Sequence, residues 1–120
     1  MAEASAVFVP TEYLEPFAGV HVEAMLSGTP VITTNFGVFP GTVIDGVNGY
    51  KCNTLNDFYQ AIKLTGQLDP KTIRNSAEQY LMQNVALQFE RWFKDLYQLY
   101  LSANIEGVKG WHFIEGKTDD

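Results

Sequence analysis

Two short apolar runs, with one helical stretch between them, leave this chain few folds to choose from. Ala6–Val9 is small, β-branched and aromatic and is stopped by Pro10. Pro30 opens a second β-branched run, Val31–Thr34. Such runs read as strands buried on both faces. Val22–Leu26 between them is rich in helix formers, and Gly28 is a good helix end. A strand, a crossover helix and a second strand make a right-handed parallel unit. The expected fold class is therefore α/β: a small parallel sheet of about three strands with flanking helices, the third strand being Tyr50–Cys52. In such sheets, ligands bind in the loops at the carboxyl ends of the strands.

The loop at that edge reads EPFAGVHVE, Glu15 to Glu23, with two carboxylates eight positions apart. If the helix starts near Gly19, the amides of Ala18 to Val20 have no partner inside it and can face a phosphate. Glu23 lies about one turn in, and helical side chains lean back toward the amino terminus. A carboxylate accepts from two hydroxyls at once, which suits a vicinal diol of a sugar or ribose. From spacing alone two readings stay open. Glu23 could simply complement the helix dipole and Glu15 be a solvated loop charge.

The run PTEYLEPFAGVHVEAMLSGTPVITTNFGVFP resembles the C-terminal domain of retaining glycosyltransferases with the two-domain GT-B fold, of the glycosyltransferase family 4 type. That family carries a Glu-x7-Glu motif of the form EPFGxxxxEAMxxGxPVI. Glu15 and Glu23 stand at its two glutamates, and Ala24, Met25, Gly28, Pro30, Val31 and Ile32 match the rest of the motif. The likeness is specific over residues 7 to 50 and weaker to about Tyr100. It implies a Rossmann-like domain binding a nucleotide-diphosphate sugar, with Glu15 on the donor sugar and as the catalytic carboxylate. It places Glu23 on the nucleotide ribose and the backbone of Phe17, Ala18, Gly19 and Val20 at the diphosphate and sugar. Two departures stand out: Ala18-Gly19 where the family has Gly directly after EPF, and Gly41 where it often has Glu.

The resemblance also implies a basic Arg and Lys pair and an acceptor domain from a segment before this one. A truncated donor-binding domain, inactive alone, is thus expected. A non-catalytic binding or interaction module that kept the fold is the alternative. The acceptor is not specified by these residues.

At 120 residues, with 46% apolar and 18% charged, the chain has room for one small core. A net charge of −6 argues against nucleic acid as a partner. No apolar run approaches a membrane span and no signal peptide opens the chain, so a soluble, cytoplasmic protein is expected. His21 and His112 have no Cys or carboxylate at ligand spacing, and neither a protein-built metal site nor a resident cofactor is expected. Cys52 reads as a small buried hydrophobe.

Further along, Asn35-Phe36-Gly37 is a loop at the same edge as Glu15, and Pro40–Ile44 a short helical or extended connector. Asp45–Gly49 is a tight reversal. Thr54 or Asn56 can cap a helix carrying Phe58, Ala61, Ile62 and Leu64 or Thr65 on one face. Asp69-Pro70 starts another, with Ile73, Ala77, Tyr80 and Leu81. Asn84 separates it from an amphipathic helix over 85–102, whose stripe of Val85, Phe89, Trp92, Leu96 and Leu99 reads as core. Residues 1–102 then form the domain and 103–120 a tail, in which Lys109–Glu115 could be a strand. A first strand composed for burial on both faces leaves an open edge, so a homo-oligomer is expected.

Overall fold

The computed structural model describes residues 3–106, with side chains to residue 102. The expected Lys109–Glu115 strand lies outside the described residues. The described residues fall into two compact units that divide after Tyr80.

The first unit is the α/β fold expected. Strand β1 (Val7–Val9) leads through a loop to α1 (Gly19–Leu26), β2 (Val31–Thr34), a four-residue helix α2 (Phe39–Thr42), β3 (Gly49–Cys52), α3 (Leu55–Leu64) and α4 (Pro70–Ala77). The sheet is parallel throughout, in the order β1-β2-β3. Val7 pairs with Val31 and Val9 with Thr33, and Val31 pairs in turn with Gly49. β-Branched residues suit these positions because the pleat packs them on both faces.

One core cluster joins Val9, Val22, Ala24, Met25, Val31, Phe39, Val43, Ile73 and Ala77, all buried. It is what α1 and α4 bury against the sheet. The other face is thinner: Ile32, Cys52 and Ala61 are buried, with Ala6, Tyr50 and Phe58 packed around them. Burial pushes the Cys52 thiol up to about 11, so it stays an unreactive hydrophobe.

Local chemistry sets the element ends. Gly28, with φ 76°, takes the left-handed conformation that closes α1, and its N–H donates to Met25 O at 2.9 Å. Arg74 reaches from α4 to cap the same helix end, Nη1 donating to Leu26 O at 2.7 Å. Thr54, not Asn56, caps α3: Asp57 N–H donates to Thr54 Oγ1 at 3.1 Å, and Thr54 N–H to Asp57 Oδ2 at 2.9 Å, a reciprocal capping box. Asp69 caps α4 by accepting from Thr72 N–H at 2.9 Å.

Two expectations for this unit change, and a third is resolved. Strand β1 is not buried on both faces: Val9 is buried, but Phe8 is 48% exposed, its ring stacked on Phe58 at 6.3 Å between centroids. It is an edge strand, so α3 covers it from one side alone. On α3 Ala61 is buried, as is Thr65 just after it, while Ile62 and Leu64 are exposed, because a three-strand sheet offers a narrow surface to cover. The connector at 40–44 resolves into the single turn of α2 followed by extended Val43.

The second unit is described by α5 (Met82–Glu106), which begins earlier than the sequence suggests. Asn84 does not separate two helices: its N–H and that of Val85 both donate to Leu81 O at 2.9 Å, wrapping the first turn. Phe89, Trp92, Phe93, Tyr97 and Tyr100 are exposed, against the expectation of a core stripe. Helical spacing reports which residues share a face, not whether that face is covered. What the helix supplies by itself is a ring row, Phe89 on Phe93 at 6.4 Å and Trp92 edge-on to Phe93 at 5.1 Å, with a Glu90–Lys94 pair at 2.8 Å.

The first unit also buries an imidazole. His21 is 0% exposed, its ring edge-on to Phe39 at 5.3 Å, with Nδ1 bonded to Ala18 O and Nε2 2.9 Å from Thr42 Oγ1. Burial lowers its pKa below the ordinary 6.5, outweighing the Ala18 carbonyl and the Glu15 charge, which both raise it. The unfolded chain therefore takes up this proton first as pH falls. Stability is full above about 6.5 and declines below it, by at most about 1.4 kcal/mol per pH unit. Asp57, Asp69 and Glu90 have lowered pKa values and act only in a more acid window, below their ordinary 3.8 to 4.5. Urea unfolding at pH 7.5 and at about pH 5.5 should show the decline, and His21→Leu should flatten it; an equal decline in the variant contradicts the assignment.

Candidate functional site

The loop between β1 and α1 sits at the carboxyl edge of the sheet, and polar bonds hold it there. Thr34, at the end of β2, donates from Oγ1 to Thr11 O at 2.6 Å. Val38 N–H donates to Glu15 O at 2.8 Å. Gly37, with φ 68°, comes so close that a Cβ there would lie 2.6 Å from Glu15 N and 2.8 Å from Glu15 O. Only glycine fits, both for its conformation and for this approach. The 35–37 loop thus abuts Glu15, at the edge where the sequence puts it.

The Glu15 carboxylate is held from two sides. Tyr13 donates its hydroxyl to Oε2, and Phe17 N–H donates to Oε1 at 3.3 Å. The hydroxyl's hydrogen bond, and then the Glu15 charge, raises the Tyr13 pKa. Glu15 is half-buried, and Phe17 is 51% exposed, its ring 5.9 Å from the His21 ring and 6.1 Å from the Tyr80 ring.

Helix α1 begins at Gly19, as the sequence suggests, with Ala18 as its extended N-cap. Ala18 has no side chain to cap with, and His21 N–H already turns to Ala18 O at 3.1 Å. Phe17 N–H is spent on Glu15, so the amides left at the helix start are those of Ala18, Gly19 and Val20. Gly19 and Val20 are exposed. Ala18 has φ −82°, so no glycine is required where the family pattern has one, and beside Gly19 nothing lies within 4 Å of a would-be Cβ. Open space beside uncapped amides is a setting for an anion.

Glu23 is exposed on the next turn of α1, about 6 Å further along the axis. Among the described residues nothing hydrogen-bonds or pairs with its carboxylate. No bond joins Glu15 to Glu23; what they share is the helix start between them. Among the described residues no three His, Cys, Asp or Glu side chains cluster to hold a metal ion. Sequence reasoning missed Tyr13, His21 and Thr42, and it put the Gly37 loop at this edge without its close approach to Glu15. For His21 the one local signal was its place beside Val22 and four before Met25, on the buried side of α1.

Comparison with known proteins gives this arrangement its context. Residues 1–65 match the family model of "Glycosyl transferases group 1". The chain is 32% identical over 101 residues to the lipopolysaccharide 1,2-N-acetylglucosaminetransferase of Salmonella typhimurium, covering 77% of this chain and 26% of that protein. It is 49% identical over 47 residues to spore coat protein SA of Bacillus subtilis, covering 38% of this chain and 12% of that protein. It is 43% identical over 49 residues to the glycogen synthase of Mycobacterium tuberculosis, 41% of this chain and 12% of that one. The chain thus spans about a quarter or less of the length of these relatives. With more than half of its residues inside the family model, and the α/β sheet and loop to match, the chain belongs to the group 1 glycosyl transferases.

Proposed function

We propose that this chain is the donor-binding part of a retaining glycosyltransferase of GT-B fold and family 4 type, moving a sugar from a nucleotide diphosphate to an acceptor hydroxyl. The observation that carries the reading is the uncapped start of α1 beside a held carboxylate, inside the segment that matches the family. The amides of Ala18, Gly19 and Val20 meet the diphosphate and sugar, helped by the helix dipole. Glu23 accepts from the ribose hydroxyls. Glu15 faces the donor sugar. Amides at the departing diphosphate and a fixed carboxylate near the sugar address opposite charges that develop as the glycosidic bond breaks. In the ligand-free chain Glu15 holds Phe17 N–H, so Phe17 contributes its amide only if that bond is exchanged. Acceptor capture falls to residues outside these 120, and the site of action is the cytoplasm.

Glu23→Gln should weaken nucleoside diphosphate binding by roughly ten- to a hundredfold, since a charge-assisted hydrogen bond is worth about 1.5–3 kcal/mol. Calorimetry measures it, and an unchanged affinity in a folded variant removes Glu23 from the ribose.

Glu15→Ala should separate sugar from nucleotide. Affinity for the complete sugar nucleotide falls while affinity for the bare diphosphate holds. A matched loss of both would make Glu15 a structural residue of the loop.

A homo-oligomer belongs to the same proposal, because the edge of β1 is open among the described residues and Phe8 is exposed beside it. Light scattering after size exclusion at micromolar concentration should give a mass above the 13.4 kDa of one chain. A folded species at 13.4 kDa refutes it.

A further inference from the structure

The buried His21 stands between the two glutamates of the motif, and none of the roles above uses it. Its position is unusual for what it joins. It lies on α1, yet its ring bonds the residue before that helix, Ala18, and reaches a different element, Thr42 of α2. The Glu15–Ala18 loop is therefore tied at both ends to one segment, residues 37–42. Glu15 O accepts from Val38 N–H, and Ala18 O is linked through His21 to Thr42.

The partners fix the protonation pattern. A carbonyl oxygen only accepts, so Nδ1 carries the proton that goes to Ala18 O. Burial keeps the ring neutral, which leaves a lone pair on Nε2. Thr42 Oγ1 lies 2.9 Å from that lone pair and 3.2 Å from Val38 O, and the shorter contact takes its single proton. Glu15 is the charged group that acts on the ring.

Holding Ala18 O does more than secure a loop. The peptide unit is planar and trans, so its carbonyl and the N–H of the next residue point in opposite directions. A carbonyl drawn onto the His21 ring turns Gly19 N–H the other way, out of the helix start. We propose that His21 is a positioning residue that aims the Gly19 amide at the donor diphosphate, by bonding Ala18 O through Nδ1 and Thr42 through Nε2. This rests on the reading of the helix start as the diphosphate site.

Calorimetry on the full chain tests it, with UDP, GDP and ADP as probes and the matching nucleosides as controls. Wild type is compared with His21→Leu, which keeps the volume and loses both bonds, and with His21→Asn, whose amide can replace the Nδ1 donor. Thr42→Val attacks the same link from α2. His21→Leu should lower diphosphate affinity about tenfold and leave nucleoside affinity unchanged. His21→Asn should return it to within about threefold of wild type, and Thr42→Val should lower it about threefold. A purely structural role would lower nucleoside and diphosphate affinity together, and that outcome overturns the proposal. So does full diphosphate affinity in His21→Leu and Thr42→Val, which leaves the donor site standing. If His21→Leu fails to fold, the Thr42→Val result decides between the same outcomes. Should wild type bind none of the three diphosphates, the donor site falls and His21's role with it.

Discussion

Everything in the first unit depends on the burial of one face of α1. His21, Val22, Ala24 and Met25 form that face, and they lie against strands and helices that are otherwise far apart in sequence. The strands have only three or four residues each, too few to hold a sheet by backbone pairing alone. The helix supplies the missing apolar burial on one side and fixes the crossover between β1 and β2. Because the loop before α1 enters from the end of β1, the same packing decides where its amides and carboxylate stand.

Polar burial adds what apolar packing cannot. Buried polar groups are as a rule hydrogen-bonded, and apart from Thr33 Oγ1, which has no partner among the described residues, those of the first unit tie specific residues together. Asn48, fully buried, accepts from Ile44 N–H at 2.8 Å and donates to Thr42 O and Ser76 Oγ at 3.1 Å. It holds the segment after α2 to α4. His21 ties the segment's other side to the loop before α1. Lys51 adds a third bond, Nζ to Val43 O at 2.7 Å, on the way to Asp45 at 3.6 Å. Residues 37–48 thus act as a bracket between the site and the core, although they contain one helical turn.

This construction fits the chemistry proposed for the family segment. A site for a departing diphosphate needs donors that are already aimed and a helix start that is left uncapped. Ala18 satisfies the second requirement by having nothing to offer as a cap, at a position where Ser, Thr, Asp or Asn would be worth about 1 kcal/mol. The aiming proposed for the first requirement comes from below, through the buried His21 and the half-buried Thr42. Stability is given up at the helix end and restored by the bracket beneath it.

The sequence by itself determined most of the elements and where the proposed site lies along the chain. β-Branched runs, the helix start at Gly19, the Thr54 and Asp69 caps and the left-handed Gly28 are local preferences, readable within a few residues. The two glutamates stood out through the resemblance of the Glu-x7-Glu pattern to the family, since their spacing alone left a solvated reading open. Tertiary structure alone decided what each face meets. That Phe8 is half-exposed depends on β1 being an edge, and that the aromatic row of α5 is exposed cannot be told from its spacing. Tyr13 on Glu15, Gly37 against the Glu15 backbone and His21 on Thr42 are contacts between residues 2 to 22 positions apart. The Gly37 and Thr42 contacts join separate elements, so no local pattern announces them. They exist because the two loops end at one sheet edge.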